Sequence, residues 1–242
     1  MASWKTITKG IVKRLGFEII RYSPMSSPTR QIVASLREFK IDLVLDVGAN
    51  SGQFATGLRG AGYSGNIVSF EPLAEAHSEL LRASANDGKW HVSPRCALGD
   101  HDGTAEINIA GNSVSSSVLP MLDSHVAAAP ASAYVGKESV PLTRFDTVAP
   151  KLLTGFDNPF LKIDTQGFEW AVLDGAGDLL SDMRGVLLEL SLIPLYEDQH
   201  LWRDIIDRME SHGFALWALQ PEFIEPDNAR TLQANGVFYR ID

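Results

Sequence analysis

The segment most able to do chemistry is a predicted strand that ends in an acid and runs straight into a glycine-containing turn. Residues 45–52 read LDVGANSG, with glycines at positions 48 and 52. Glycine lets a backbone approach a ligand where a Cβ would clash, and in an open α/β sheet the ligand lies over the carboxyl ends of the strands. The pattern predicts a nucleotide-type cofactor site, and the residues expected to bind are Asp46, Gly48, Asn50 and Gly52.

The spacing of this turn discriminates between cofactors. A dinucleotide fingerprint is Gly-x-Gly-x-x-Gly, whose last glycine brings the helix close to the strand while the helix N-terminus faces a pyrophosphate. Here Asn50 stands in place of the middle glycine, and Gly52 falls one residue early. The Asp46 carboxylate would repel a pyrophosphate, whereas it can accept hydrogen bonds from the aminoacyl end of S-adenosylmethionine. The turn favours S-adenosylmethionine, with NAD as the alternative.

A second acid follows at the end of the next predicted strand, in Phe70-Glu71-Pro72. A carboxylate at this place can accept hydrogen bonds from both ribose hydroxyls, in NAD sites and S-adenosylmethionine sites alike. Glu71 is therefore a candidate ribose ligand that does not choose between the two cofactors. The alternative is an acid that only stabilises the start of the following helix.

The elements that must position these residues alternate along the chain. Short apolar runs predict strands, and segments with apolar residues at helical spacing predict helices. Such alternation predicts an α/β fold, a doubly wound and mainly parallel sheet of Rossmann-like type, with an antiparallel hairpin at one edge. The predicted strands are 42–47, 66–70, 91–98, 160–163, 186–190, 214–219 and 236–241, and the predicted helices are 29–39, 74–85, 169–180 and 201–211.

Two regions lie outside this alternation. Residues 1–40 predict a helical N-terminal segment that packs on the main domain, residues 41–242. Residues 110–136 are rich in serine, alanine and glycine without periodicity. A long irregular insert in a compact domain is usually a functional lid or a flexible loop, and both interpretations stay open here.

The amino-acid composition limits which binding partners are expected. The 242 residues carry a formal net charge of −9 without a sustained basic stripe, which argues against nucleic acid. No apolar run is long enough to span a membrane, and one cysteine cannot form an internal disulfide, so a cytoplasmic protein is expected. Lys5, Lys9, Lys13 and Arg14 alternate with apolar residues in a predicted amphipathic helix. That helix either contacts a membrane surface or packs on the domain.

Five motifs follow one another in a fixed order along the chain: residues 46–52 (DVGANSG), 70–72 (FEP), 97–100 (ALGD), 140–142 (VPL) and 162–169 (KIDTQGFE). This ordered set resembles the FkbM family of S-adenosylmethionine-dependent methyltransferases. The resemblance implies a class I methyltransferase fold, with S-adenosylmethionine as donor. It also implies transfer to a hydroxyl, often on a sugar of a glycolipid, glycopeptidolipid or other saccharide conjugate, and it places the backbone around Ala97 and Leu98 beside the adenine.

The resemblance directs attention to acids that could relieve a hydroxyl of its proton. Asp164 and Glu189, at the ends of the fourth and fifth predicted strands, are the candidate catalytic residues, with His200 as a secondary base. Asp164 and Glu189 together could also hold Mg²⁺. In the family a glutamate usually stands where this chain has Gln166, which puts a metal or base role at that position in doubt. The alternatives are a helix cap for Asp164 and an ion-pair partner of Lys162 for Glu189.

Overall fold

Five short apolar segments form the parallel part of a seven-stranded sheet in the computed structural model, which describes residues 12–241. The first strand, LVLDV, is buried along its whole length, as expected of a parallel strand covered on both faces. The parallel strands are β1 (Leu43–Val47), β2 (Asn66–Phe70), β3 (Trp90–Val92), β7 (Pro159–Ile163) and β8 (Gly185–Ser191).

Two longer strands, β9 (Ala215–Ile224) and β10 (Thr231–Tyr239), complete this sheet. The order is β3-β2-β1-β7-β8-β10-β9. Strand β10 pairs antiparallel with both β8 and β9, whereas the other pairs in the sheet are parallel. The predicted doubly wound, mainly parallel sheet with an antiparallel edge hairpin is therefore confirmed.

Helices cover both faces of the sheet. Apolar residues of α1, α2 and α3, such as Leu36, Leu58 and Leu80, pack on one face. Residues of α5, α6 and α7, such as Val172 and Ile205, pack on the other. The helices are α1 (Pro28–Glu38), α2 (Gln53–Gly60), α3 (Ala74–Ser84), α4 (Asp123–Ala128), α5 (Phe145–Leu153), α6 (Glu169–Ala176) and α7 (Trp202–Ser211).

The predicted strand 91–98 is wrong as a single element. After β3 the chain leaves the large sheet and turns. It then forms β4 (Ala97–Gly99), which belongs to a second sheet. Pro94 lies between the two pieces. Because proline lacks the N–H that a ladder hydrogen bond needs, a strand interrupted there cannot continue through the sheet.

The second sheet was not predicted. It has the order β4-β6-β5, with β5 (Gly103–Ala110) and β6 (Tyr134–Arg144) antiparallel to each other. Most of the insert 110–136 connects these two strands and is folded, with α4 and a short 3₁₀ helix, Pro130–Ser132. Ser115, Ser117 and His125 are buried within it. We call residues 111–133 the cover segment.

The N-terminal segment differs from the prediction in part. Helix α1 forms as expected: Ser27 accepts a hydrogen bond from the Arg30 N–H at its start, and the helix packs against the sheet. Residues 15–25 do not pack on the domain, because their apolar side chains are exposed. Residues 1–11, which hold most of the predicted basic helix, lie outside the described residues.

Candidate functional site

A cavity of about 610 Å³ opens over the carboxyl ends of β1, β2, β7 and β8, where ligands bind in open α/β sheets. Its roof includes the cover segment, and its far wall includes β9 and β10. Among the predicted site residues, seven line the cavity: Gly48, Asn50, Glu71, Ala97, Leu98, Asp164 and Glu189.

The glycines of the β1–α2 turn are needed for packing inside the protein. Gly48 has φ +72°, and a Cβ there would collide with the backbone carbonyl oxygen of Asp164. Gly52 has φ +91°, and a Cβ there would lie 2.8 Å from the Trp90 ring. Gly52 does not line the cavity. Packing against Trp90 requires a glycine at position 52, and the close contact with the backbone of Asp164 requires one at position 48. That the two glycines also make room for a ligand stays a prediction.

Glu71 joins the two loops at the cofactor end of the cavity. One carboxylate oxygen accepts the Asn50 N–H at 2.8 Å, and the other accepts the Leu73 N–H at 2.8 Å. Asn50 holds a left-handed backbone conformation, φ +48°, that aims its N–H at this carboxylate. Burial raises the pKa of Glu71 to about 7, although the two N–H donors oppose that change.

Asp46 has a structural partner. In the register of β1 and β7 it lies beside Lys162, and its Oδ1 is 3.1 Å from the Lys162 ammonium nitrogen. Its other oxygen accepts a hydrogen bond from Ser69. Asp46 is fully buried and does not line the cavity. The cavity does not reach Asp46, whose charge is paired with Lys162 inside the sheet; that Asp46 binds the aminoacyl end of a cofactor stays a prediction.

Lys162 is the site residue whose position sequence reasoning missed. Its ammonium group donates to the main-chain oxygens of Val47 and Gly48, at 3.2 and 2.8 Å, and lies 3.6 Å from Asp164. Burial by itself lowers the pKa of Lys162, but the charges of Asp46 and Asp164 outweigh burial, so that the pKa is raised. A lysine inside a fully buried strand was the signal, because such a charge needs partners.

Ala97 and Leu98 begin β4 and line the cavity next to Cys96. Burial raises the pKa of the Cys96 thiol to about 11. This wall is therefore apolar and uncharged, as a surface against a planar base would be.

An amide joins the two predicted catalytic carboxylates. The side-chain nitrogen of Gln166 donates to Asp164 at 2.9 Å and to Glu189 at 3.0 Å. Its side-chain oxygen accepts the Tyr196 hydroxyl at 2.8 Å, which fixes the orientation of the amide. Gln166 thus holds both acids in one arrangement.

The two acids differ in environment. The Asp164 side chain keeps about a third of its surface exposed (37%) and faces Lys162. Glu189 is buried, and burial together with the charges of Asp164 and Glu169 raises its pKa well above the usual range. These influences favour the neutral form of the Glu189 carboxyl group relative to that of an exposed glutamate.

The residues do not fit Mg²⁺. The Gln166 nitrogen is a donor placed between the carboxylates that a cation would need to share, and a hard cation requires oxygen ligands there. Within residues 12–241 no cluster of three or more His, Cys, Asp or Glu side chains is arranged to hold a metal ion. The metal role considered for Asp164 and Glu189 is not supported by this geometry.

Polar residues of β9 and β10 form the far wall. Glu222 accepts a hydrogen bond from Asn235 at 2.9 Å. The same wall of the cavity includes Gln220, Gln233 and Phe223. His125 lines the cavity from the cover segment, and burial lowers its pKa to about 4. Sequence reasoning missed the β9 and β10 residues, because hydrogen-bonding side chains on edge strands are ordinary in any sequence.

His200 lies outside the cavity. Its ring stacks on Trp170 with ring centroids 3.9 Å apart, and it is not among the cavity-lining residues. Its position shortly after the fifth strand suggested a base, but the loop carries it to the side of the sheet covered by α6.

The sheet order and the cavity define a class: an α/β domain with class I methyltransferase topology and a nucleotide-type site. The profile of the "Methyltransferase FkbM domain" matches residues 46–216, well over half of the chain. The chain therefore belongs to the FkbM methyltransferase family and is an S-adenosylmethionine-dependent methyltransferase. The resemblance found in the sequence is confirmed, and an NAD-dependent oxidoreductase is set aside.

Solved structures of other methyltransferases are similar to the chain. Magnesium protoporphyrin IX methyltransferase from Synechocystis, with bound S-adenosylmethionine, is 12% identical with a TM-score of 0.48, over 100% of this chain and 99% of that chain. A SAM-dependent methyltransferase from Aquifex aeolicus is 12% identical with a TM-score of 0.44, over 91% and 100%. Among curated proteins, none matches significantly. No helix in the described range is both long and apolar enough to cross a membrane.

Proposed function

We propose that this methyltransferase transfers the methyl group to a hydroxyl oxygen of a saccharide, such as the sugar of a glycolipid or another saccharide conjugate. The observation that carries the proposal is the polar far wall of the cavity. There amides and carboxylates, Gln220, Glu222, Gln233 and Asn235, lie beside the Phe223 ring. Amide groups donate and accept hydrogen bonds and carboxylates accept them, so that such a wall can bind neighbouring hydroxyls.

The near end of the cavity fits the methyl donor. The Glu71 carboxylate lies at the lip of β2, where ribose hydroxyls can donate to it, and the apolar wall at Cys96, Ala97 and Leu98 suits an adenine ring. The turn at Gly48 and Asn50 borders the space between them. S-adenosylmethionine supplies an electrophilic methyl carbon on a sulfonium centre.

Asp164 is the residue we assign as general base. It lies at the end of β7, lines the cavity and is partly exposed, so that an acceptor hydroxyl can reach it. Proton transfer to a positioned carboxylate makes the alcohol oxygen a competent nucleophile. The Lys162 ammonium nitrogen lies 3.6 Å from the carboxylate and places a positive charge beside it.

We assign Glu189 and Gln166 a role in positioning the acceptor. Glu189 lines the cavity next to Asp164, where it can form hydrogen bonds with hydroxyls of the sugar. Gln166 holds Asp164 and Glu189 at fixed positions, and alignment of acceptor and methyl carbon supplies a large part of the rate in such displacements. The cover segment lies over the cavity and limits entry of water.

Charge supports a neutral, hydroxylated acceptor. The acidic side chains of Asp164 and Glu222 line the cavity, with Lys162 as a buried counter-charge. A phosphate-rich acceptor such as nucleic acid would be repelled, and the formal net charge of −9 adds to this. We therefore do not propose nucleic acid as a partner.

The test is methyl transfer from labelled S-adenosylmethionine to a panel of glycosides, after calorimetry has established donor binding. We expect transfer to a sugar hydroxyl with wild-type protein and a strong loss with Asp164→Asn, while donor affinity stays within a few fold. An exposed control, Asp178→Asn, leaves the rate unchanged. Donor binding without transfer to any glycoside, alcohol or amine would instead identify a module that has lost catalysis, and transfer to nitrogen alone would overturn the proposed acceptor.

A further inference from the structure

A run of apolar side chains before α1 is unpacked. Six of them are largely exposed although they fall within eleven consecutive positions, and Phe17 keeps 71% of its surface exposed. Exposed large apolar side chains grouped in this way mark an interaction surface. The six are Leu15, Phe17, Ile19, Ile20, Tyr22 and Met25. We call residues 12–25 the leading segment.

The charge of this part of the chain is opposite to that of the rest. Residues 1–25 hold five of the 21 Lys and Arg residues but one of the 30 Asp and Glu residues. In the described portion Lys13, Arg14 and Arg21 are exposed among the apolar side chains. Basic residues interleaved with apolar ones suit an anionic phospholipid surface, which attracts the charges and accepts the side chains at its acyl boundary.

The leading segment also ends next to the site. The Arg30 guanidinium lies over the Tyr22 ring at 4.4 Å, which ties the end of the segment to α1. Pro28 and Thr29, the first residues of α1, line the cavity. A surface that holds the leading segment is therefore brought close to the cavity.

We propose that the leading segment binds an anionic phospholipid membrane, and that the enzyme takes its acceptor from that membrane. The second clause rests on the proposed function; the first does not. Charge complementarity supports this occupant, because residues 1–25 hold five Lys and Arg residues and one Glu, and an anionic surface attracts them while it accepts the apolar side chains between them.

Flotation of the full-length protein with vesicles tests the proposal. We expect co-flotation with vesicles of phosphatidylcholine that contain phosphatidylglycerol, weakening as salt rises, and little with phosphatidylcholine alone. The double variant Phe17→Ser with Ile20→Ser should weaken binding by roughly tenfold or more, since two large apolar groups no longer enter the lipid. Lys13→Glu with Arg14→Glu should weaken it by a similar factor through charge.

Matched controls lie on the body of the protein. Val135 is equally exposed, and Val135→Ser should bind vesicles as wild type does. Arg82→Glu with Lys151→Glu reverses two exposed charges elsewhere and should have little effect. Thermal unfolding and donor binding verify that every variant is folded.

Several results would overturn the proposal: no flotation with either vesicle, equal flotation with neutral vesicles, or equal losses in the control variants. Sedimentation showing a dimer that Phe17→Ser with Ile20→Ser dissociates would assign the segment to a second copy. Vesicle binding with no methylation of any glycoside would leave this proposal standing while the proposed function failed. Methylation of soluble glycosides without vesicle binding would show the reverse.

Discussion

Replacing Gln166 by glutamate tests whether its amide, and not a cation, organises the site. The change keeps the shape of the side chain but removes the two N–H donors that reach Asp164 and Glu189 at 2.9 and 3.0 Å. A hydrogen bond to a charged group contributes roughly 1.5–3 kcal/mol and an ordinary one about 1 kcal/mol. Because Asp164 is partly exposed, we expect the unfolding free energy to fall by about 2–4 kcal/mol.

The loss should depend on pH with a definite sign. Burial and the neighbouring acids already raise the pKa of Glu189, and they would raise the pKa of the introduced carboxyl as well. A carboxyl whose pKa is raised in the folded state binds protons more readily there than in the unfolded state, so stability recovers as the pH falls. The deficit of Gln166→Glu should be largest near about pH 8 and smaller near about pH 5.

Urea unfolding of wild type and variant, with and without Mg²⁺, measures these effects. Three converging carboxylates offer the oxygen ligands that Mg²⁺ prefers, so Mg²⁺ should stabilise Gln166→Glu and leave wild type unchanged. Gln53→Glu, at an exposed position of α2, is the control and should stay within about 0.5 kcal/mol of wild type. A variant as stable as this control at both pH values, or a wild type stabilised by Mg²⁺, would refute the reasoning.

Three further predictions follow from the buried charges and the assigned roles. Lys162→Met should lower the unfolding free energy by about 3–5 kcal/mol, because Asp46 stays buried without its partner. Asp46→Leu in the same chain should restore most of that free energy in urea unfolding. Equal losses in the single and double variants would contradict this explanation. Donor binding near about pH 7 should release protons, because ribose hydroxyls favour the charged form of Glu71 and would lower its pKa from about 7. Calorimetry in buffers of different ionisation enthalpy measures this release. Glu71→Gln should abolish it. Asp164→Asn should reduce kcat by roughly 100-fold or more in the labelled-methyl assay, whereas His200→Ala, outside the cavity, should leave kcat nearly unchanged.

Local patterns account for what the sequence could predict. The strand that contains Asp46, the glycine turn and the acid at position 71 are neighbours in the chain, and parallel strands of buried residues recur with helices between them. The fold class and the near end of the cavity follow from these segments. The break at Pro94 was also visible in the sequence, since proline interrupts a strand.

The parts of the site that could not be predicted depend on contacts between residues that are distant in the sequence. Asp46 was predicted to bind a ligand because it ends a strand beside the glycine turn, and its partner Lys162 reaches it only through the β1–β7 register. The hydrogen bonds from Gln166 to Glu189 of β8 and to Tyr196 likewise join parts of the chain that are distant in sequence. The far wall is formed by β9 and β10. The alternation of polar and apolar residues in these segments predicts strands, but it does not predict which cavity the strands face.

The two ends of the cavity are built from separate stretches of chain. Glu71, Ala97 and Leu98 belong to the first hundred residues, whereas the far wall belongs to β9 and β10. Exchange of the β9–β10 hairpin can therefore change acceptor choice without rebuilding the donor end. Such modularity would let paralogues diverge in substrate while they share one donor, and it makes chimaeras joined at these strands a practical route to altered enzymes.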